Sequence, residues 1–343
     1  AGTAEQLTAK AKYGGPRGND IHVSVVENPT GGFDVTVYLD ADATAVYEGV
    51  KTIEELREAA SDDKLVTFSG TGELTAIAGL KLTGGEKKAG SNGDVTAFVD
   101  KMEGIHFNTL CFPVTETALQ TAAITKIKYM RDSMGKGVNV VLPDAKTPDH
   151  EGVINVTNSV VVDDVELTHA EASAFIAGIT AAASCVKSNT YELYNGATDI
   201  VDPKDNEAAI AAINNGEMFF SYSEAGNVII EYDINSLISF NKPKDKTYRK
   251  NRVIRVLDSI QETIQNNFPP NKYDNSPTGW SVMKGIGQTI LKQYEDMGAI
   301  KNVDYDADFN IDESLSSGDE VYFIVAIQPV DSAEKLYFTV KTR

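Results

Sequence analysis

The strand–helix–strand pattern between His106 and Pro143 constrains the fold of this chain more than any other feature. The run HFNTLCFPV (106–114) has the pattern of a buried strand ended by a proline, and VNVVLP (138–143) is a second apolar β-run. The intervening TALQTAAITKIKYMRDSMGKG has the pattern of an amphipathic helix with two glycines at its exit. A helix that connects two neighbouring strands normally makes them parallel, so we predict an α/β region here.

Short strands separated by turns dominate the first 92 residues. In FDVTVYLD (33–40), apolar and polar side chains alternate, which gives the strand one apolar face that needs a second layer. The run TIEELREAA (52–60) is the one convincing helix of this part. We therefore predict a small β-sandwich with a helical insert. Its other predicted strands are IHVSVVE (21–27), KLVTF (64–68) and LTAIAGLKL (74–82).

Three domains follow from the pattern of the whole chain. The polar, glycine-rich run TGGEKKAGSNGD (83–94) is typical of a linker. Further on, Thr168 and Glu171 form a capping-box pattern at a helix start, and a hairpin is predicted over 216–235. We predict two long helices, 247–267 and 278–297, and two last strands, 320–330 and 334–343. The predicted domains are a β-sandwich-like domain (1–92), a central α/β domain (93–240) and a C-terminal α+β domain (241–343) with a terminal β-arm.

The net charge of −19 argues against two classes of partner, because such a field repels nucleic-acid phosphates and anionic lipid headgroups. No stretch approaches the roughly 18 consecutive apolar residues of a membrane span. The cysteines, Cys111 and Cys185, are too few for a disulfide framework. We predict reduced, buried thiols, synthesis in the cytoplasm, and neither nucleic acid nor membrane as a partner.

Motifs for catalysis, metals and nucleotides are missing from the sequence. The four histidines lie in different predicted elements, and HExxH, CxxC, GxxxxGK[ST] and GxSxG do not occur. We therefore predict no catalytic, metal or cofactor site. Two alternatives stay open: a hydrolase whose central domain brings a serine or cysteine to a histidine, and a glycan-binding or other surface-binding module at the periphery, with Tyr38 and Tyr47 as exposed aromatic residues.

A basic segment stands out against this acidic background. A helix N-terminus disfavours cations, so positive charge at the start of the predicted helix 247–267 needs a partner. The charges form salt bridges within the chain, or they form a docking surface for an acidic partner such as another copy of the chain. The basic segment consists of Lys242, Lys244, Lys246, Arg249, Lys250, Arg252 and Arg255.

Eight segments spread over nearly the whole chain carry a family resemblance. They are AKYGGPRGNDI, FDVTVYLD, LTGG, HEGVINV, FIAGITAAASCVKSNTYELYNGA, EYDINSLISF, YRKNRVIRVLDSI and QPVDSAEKLYFTV. In this order and spacing they resemble the contractile tail sheath family of tailed bacteriophages and phage-like contractile particles. The last three segments are the most specific.

The resemblance implies a structural protein without catalysis or cofactor. Sheath subunits form hexameric rings that stack helically around an inner tube, and contraction drives the tube through a target envelope. The central domain is expected to have a subtilisin-like layout without the catalytic triad. The expected partners are other copies of the chain, the inner tail tube protein, the baseplate and the tail terminator. The expected location, after synthesis in the bacterial cytoplasm, is a virion tail or a phage-tail-like particle.

The resemblance also implies terminal arms that add strands to the sheet of a neighbouring subunit. Leu336, Phe338 and Val340 alternate with polar positions, which suits strand addition. Alternatively, this strand closes the sheet of its own domain. Family members carry further residues before the position of Ala1, so we expect this sequence alone to be a monomer or a weak oligomer. The predicted inter-subunit strand comprises Glu334, Lys335, Leu336, Tyr337, Phe338, Thr339 and Val340.

Overall fold

A computed structural model describes residues 1–87, 90–242 and 244–339 of the chain. The chain forms two units, Ala1–Ser91 and Asn92–Arg343. Among the residues described, no helix is both long and apolar enough to cross a membrane.

The first unit is a pair of antiparallel β-sheets with one helix. One sheet has the order β1-β2-β6 and the other the order β5-β4-β3-β7. Thr52 caps helix α1, because its hydroxyl accepts a hydrogen bond from the Glu55 backbone N–H. The elements are β1 (Gly2–Ala4), β2 (Leu7–Ala11), β3 (Ile21–Glu27), β4 (Phe33–Leu39), β5 (Asp42–Val50), α1 (Ile53–Ala59), β6 (Val66–Ser69) and β7 (Ile77–Lys81).

Both sheets and α1 share a single core, which confirms the predicted β-sandwich-like unit. Val23, Val35 and Val37 are fully buried, as the alternation in β3 and β4 predicts. Leu56 of α1 and Val66 of β6 are buried in the same cluster. Each sheet therefore covers the apolar face of the other.

The second unit begins with a parallel sheet that has helices on both faces. The strand order is β14-β10-β9-β8, and each neighbouring pair is parallel. Helices α2 and α3 pack on one face of this sheet and α4 packs on the other. The predicted strand–helix–strand unit is confirmed. The elements are α2 (Asn92–Lys101), β8 (Thr109–Cys111), α3 (Thr117–Asp132), β9 (Asn139–Pro143), β10 (Val153–Val156), α4 (His169–Ala182) and β14 (Glu217–Met218).

Smaller elements complete the second unit. Thr168 and Glu171 form the predicted capping box of α4, and β15 and β16 form the predicted hairpin. Helices α6 and α7 pack with β17 and β18 around a further core. The additional elements are β11 (Val160–Val162), β12 (Val165–Leu167), β13 (Ala197–Ile200), α5 (Asn206–Asn214), β15 (Phe220–Tyr222), β16 (Val228–Ile230), α6 (Asn251–Asn267), α7 (Pro277–Asp296), β17 (Phe309–Ile311) and β18 (Phe323–Val325).

Gly287 of α7 faces the buried ring of Phe309 in β17. A Cβ atom at this position would lie 2.0 Å from the ring of Phe309, which is fully buried. Only a residue without a side chain lets the strand β17 pack this closely against the helix.

Two sequence-based predictions of local structure are wrong, and a third, the inter-subunit strand at the end of the chain, stays a prediction. The predicted linker 83–94 includes the start of α2, in which Val99 is buried and the half-buried Val95 packs against the same core. Helix α6 begins at Asn251, because a 3₁₀ turn, Lys246–Arg249, comes first and Lys250 is extended. The described part of the predicted last strand, residues 334–339, forms no ladder with the strands of its own chain. A strand requires a partner strand beside it.

Candidate functional site

The terminal segment exposes its apolar side chains to solvent. Leu336 is 65% exposed, Tyr337 90% and Phe338 83%. Large apolar side chains that lie exposed next to each other commonly mark an interaction site. Thr339 is also exposed, whereas Val340 lies outside the described residues. The segment Lys335–Thr339, here called the arm, has the character of an unpaired strand.

Glu334 attaches the start of the arm to the rest of the unit. Its side chain is only 7% exposed. One carboxylate oxygen accepts hydrogen bonds from the hydroxyls of Ser188, at 2.9 Å, and Thr190, at 2.8 Å. The other oxygen accepts a hydrogen bond from the ammonium of Lys250. Both oxygens are thus satisfied by the protein itself.

Lys250 provides the opposite charge from the N-cap position of α6. Its ammonium also lies 3.7 Å from the ring centroid of Tyr232, in cation–π geometry. Burial by itself would lower the pKa of Lys250, but the hydrogen bonds to Glu334 and Tyr232 raise that pKa above its ordinary value. Lys250 therefore remains a cation, and Glu334 brings a negative charge to the helix N-terminus, where the dipole favours it.

Asp233 extends this attachment into the interior. Its side chain is fully buried and accepts hydrogen bonds from Asn251 Nδ2, Arg255 Nη2 and the Asn189 backbone N–H, each within 2.9 Å. The backbone N–H of Asp233 donates to the hydroxyl of Thr190, which in turn donates to Glu334. One continuous polar network therefore joins the start of α6 to the base of the arm.

A second contact holds the chain just before Glu334. Arg252, in the first turn of α6, donates a 2.8 Å hydrogen bond to the hydroxyl of Ser332. We call Ser332, Glu334, Lys250 and Arg252 the arm root. The three most specific sequence segments, EYDINSLISF, YRKNRVIRVLDSI and QPVDSAEKLYFTV, all contribute residues to the arm root or to the Asp233 network.

Most of the basic segment has partners within the chain. Lys244, Lys250 and Arg255 form ion pairs with Glu151, Glu334 and Asp233, respectively. Arg249 is 6% exposed and donates to the backbone carbonyls of Leu237 and Asn214. By contrast, Lys242 and Lys246 are exposed and have no ion pair within the part of the chain described.

Lys244 belongs to a charged cluster that the sequence did not indicate. Its ammonium lies 2.5 Å from a carboxylate oxygen of Glu151 and 3.4 Å from one of Asp132. His150 Nε2 lies 3.3 Å from the other Asp132 oxygen. Glu151 and His150 are both buried. We call His150, Asp132, Glu151 and Lys244 the histidine cluster.

The donor pattern of His150 favours a charge cluster over a metal site. The His150, Asp132 and Glu151 ligand atoms lie within 4.8 Å of one another, which a metal ion could bridge. However, the Gly152 backbone N–H donates to His150 Nδ1 at 3.0 Å, so Nδ1 carries the lone pair. In the neutral ring the proton is then on Nε2, the atom that faces the carboxylates. Lys244 already provides a positive charge at these carboxylates.

Tyr38 and Tyr47, the aromatic candidates for a surface-binding module, both pack against other aromatic rings. Tyr47 is half-buried, because its hydroxyl donates to Asp63 and its ring packs on Phe68; the expectation of an exposed Tyr47 is wrong. Tyr38 stacks on His22 and is also half-buried. Tyr13, which the sequence analysis overlooked, is 73% exposed.

The candidate nucleophiles do not form a catalytic pair. Cys111 and Cys185 are free, and both are half-buried, whereas full burial was predicted. Cys111 Sγ lies 3.9 Å from the hydroxyl of Ser173. Within residues 1–87, 90–242 and 244–339, no serine or cysteine side chain is hydrogen-bonded to a histidine ring.

Family models match the chain along its length. The phage tail sheath protein beta-sandwich domain matches residues 1–87, the central domain of the phage tail sheath protein matches residues 88–236, and the phage tail sheath C-terminal domain matches residues 243–343.

Two curated relatives come from Bacillus subtilis. The uncharacterized protein YqbK is 35% identical, with 100% of this chain and 79% of the relative covered. The phage-like element PBSX protein XkdK is 33% identical, with 99% and 78% covered.

Solved structures show the same fold. The sheath tail protein of Desulfitobacterium hafniense has a TM-score of 0.82 at 36% identity, covering 99% of this chain and 80% of that protein. The sheath tail protein Lin1278 of Listeria innocua has a TM-score of 0.85 at 33% identity, covering 97% and 78%. The contracted helical sheath of the anti-feeding prophage, at 16% identity and a TM-score of 0.58, covers 80% of this chain and 79% of that protein, and shares the fold alone. The chain belongs to the phage tail sheath protein family, a family of structural components of phage tails and tail-like particles.

Proposed function

We propose that this protein is the subunit of a contractile tail sheath. In this proposal, subunits assemble as hexameric rings that stack helically around an inner tube. Contraction of the sheath then drives the tube through a target envelope, and the subunit performs no catalysis. Family membership and the similarity to sheath proteins support the proposal.

The arm is the observation that carries the proposal. It combines three exposed apolar or aromatic side chains with a firmly attached base. An isolated strand gains its main-chain hydrogen bonds only by joining the sheet of another molecule. We propose that the partner sheet belongs to another copy of this chain. Such a joint depends on main-chain contacts, so it tolerates rigid-body movement of the subunits that it connects.

The parallel sheet of the second unit has a different role in this proposal. Its helix-covered, doubly packed layers suit a rigid body that supports the interface, and they are compatible with a subtilisin-like layout that lacks a catalytic triad. Because the chain belongs to the phage tail sheath protein family, we propose that the partners also include an inner tube protein, a baseplate and a tail terminator.

The exposed part of the basic segment is the proposed docking surface. Lys242 and Lys246 are the members without an intrachain ion pair in the described residues. Exposed charges form contacts that are weak and screened by salt, which suits contacts that must release during contraction. Their proposed partner is an acidic surface of the tube or of a neighbouring subunit.

Negative-stain electron microscopy tests the function directly. The protein is purified after its N-terminus has been extended by the residues that precede the matched region in a full-length relative, and it is mixed with the tube protein from the same particle. We expect tubes built from six-fold rings. If the mixture stays dispersed at high protein concentration, the sheath proposal is contradicted.

A further inference from the structure

We propose that Glu334 is a positioning residue that fixes the point at which the arm leaves the subunit. This inference deepens the proposed function and depends on it for its biological meaning. The structural claim itself concerns one subunit and can be tested without assembly. Lys250 is the charged partner, and Arg252 provides the supporting contact through Ser332.

The first argument is the change in exposure at the arm root. The Glu334 side chain is 7% exposed, whereas Leu336, two residues later, is 65% exposed and Tyr337 is 90% exposed. A glutamate is seldom buried unless it forms an ion pair. Two neighbouring large apolar side chains are seldom exposed in a segment that binds no other molecule. The arrangement is the reverse of what hydrophobicity alone would produce, so the side-chain contacts of Glu334 hold the segment in place.

The second argument is the number of contacts that converge on Glu334. It accepts hydrogen bonds from the ammonium of Lys250 and from two hydroxyls, those of Ser188 and Thr190. Desolvating a carboxylate costs free energy that only a complete set of partners offsets. Removing one partner leaves a buried charge incompletely satisfied, so the arm root then opens toward water.

The third argument is where a load on the arm would be transmitted. Lys250 and Arg252 lie at the N-cap and in the first turn of α6. Further along α6, Val256 and Ile260 are buried in the core that the helix shares with α7. A pull on a strand-paired arm would therefore reach a packed helix through Glu334 and Ser332. The residues after Glu334 remain free to reorient between different arrangements of subunits.

Limited proteolysis of the isolated protein reports separately on the arm and on the arm root. Chymotrypsin cuts after Tyr337 and Phe338 and reports on the arm, whereas a glutamate-specific endoprotease cuts after Glu334 and reports on the root. Mass spectrometry follows the C-terminal fragment that begins at Lys335. In the unmodified protein we expect the chymotryptic cuts to be fast and the cut after Glu334 to be slow, because proteolysis follows local opening.

Substitution of Lys250 tests the cause of this protection. In Lys250→Gln we expect cleavage after Glu334 to accelerate about tenfold or more, because one partner of a buried charge pair is lost. Lys250→Arg keeps the charge and should restore most of the protection. Lys246→Gln, a change to an exposed lysine of the same segment, is the matched control and should leave both rates unchanged.

The inference is overturned if the unmodified protein is cut after Glu334 as fast as after Phe338, or if Lys250→Gln has no effect on that cut. Circular dichroism on each variant shows whether the fold is retained. If Lys250→Gln fails to fold, the double substitution Ser188→Ala with Thr190→Val replaces it. This variant removes the two hydroxyl donors to the other carboxylate oxygen of Glu334, and it should also accelerate the cut after Glu334. If the cut after Glu334 is slow but the protein never forms tubes, the proposed function is contradicted and the positioning role of Glu334 is supported.

Discussion

The ammonium of Lys250 donates a hydrogen bond to the carboxylate of Glu334, 84 positions away in the sequence, and both side chains are largely buried. This contact joins the start of α6 to the base of the arm. Side chains therefore hold the terminal segment at the arm root, through Glu334 and Ser332, and residues 334–339 form no β-ladder with their own chain. A strand that is attached but unpaired is suited to pair with another molecule.

Charged substitutions in the arm should separate folding from assembly. For Leu336→Asp with Phe338→Asp, the free energy of unfolding should change by less than about 0.5 kcal/mol, because both side chains are exposed. Assembly into tubes should be lost, since strand addition would bury two new charges. Urea denaturation and electron microscopy measure the two effects.

Leu315→Asp is the control for the arm substitutions. Leu315 is 56% exposed but lies outside the arm. It should leave both stability and assembly unchanged. Normal tubes from the doubly substituted arm would show that Leu336 and Phe338 do not form the joint.

Removal of one partner of the buried pair Arg131–Asp258 should destabilise the second unit strongly. Two hydrogen bonds of 2.9 and 2.8 Å join them, and both side chains are at least four-fifths buried. Asp258→Asn should reduce the free energy of unfolding by about 3 kcal/mol, because it leaves the guanidinium without its counter-charge. Asp296→Asn removes an exposed ion pair to Lys292 and should cost less than about 0.5 kcal/mol. Equal effects in urea denaturation would contradict this assignment.

The histidine cluster should make stability depend on pH. Burial lowers the pKa of His150 below its ordinary value. Burial by itself would raise the pKa of Glu151, but the hydrogen bond from Lys244 and the nearby His150 lower it below the usual range. In each case the unfolded chain binds protons more readily than the folded one, so acidification favours unfolding.

The expected pH profile has two parts. Stability should be fully present above about pH 6.5, the unfolded pKa of a histidine, and should decrease as the pH falls below it. Protonation of Glu151 and Asp132 should add a further loss below about pH 4.5. His150→Gln should remove the first part and leave the second. Urea denaturation between pH 4 and 8 measures both, and an unchanged slope between pH 5 and 7 in His150→Gln would contradict the assignment.

The basic segment should divide into a structural part and a docking part. Reversal of Arg249 to Glu should destabilise the protein by about 3 kcal/mol or more, because Arg249 is buried and donates to two carbonyls. Lys242→Glu with Lys246→Glu should leave the unfolding free energy nearly unchanged and weaken docking, with an effect that decreases at high salt. Unaltered assembly at low salt would remove these two lysines from the docking surface.

Local patterns in the sequence were sufficient to predict much of the fold. Thr168 and Glu171 are three residues apart and form the capping box, and the alternation around Val35 and Val37 gives the buried face of β4. The start of α2 was missed because the glycines and polar residues before Val95 obscure its helical spacing.

The arm root could not be predicted, because it depends on contacts between distant residues. The sequence places Asp233, Lys250 and Glu334 in three separate segments, and nothing local indicates that they meet. Likewise, His150 lacks a neighbouring ligand along the chain, and only the fold brings Asp132 and Lys244 to it. The sequence left open whether the basic segment forms salt bridges within the chain or a docking surface, because its carboxylate partners are distant in sequence.

Cryo-electron microscopy of tubes assembled from the N-terminally extended protein and its tube protein tests the central claim most directly. The account predicts six-fold rings in which Leu336, Tyr337 and Phe338 lie in a strand paired with the sheet of a neighbouring subunit, while Glu334 still contacts Lys250 of its own subunit. Tubes in which this segment pairs within its own subunit, or a protein that forms no rings, would contradict it.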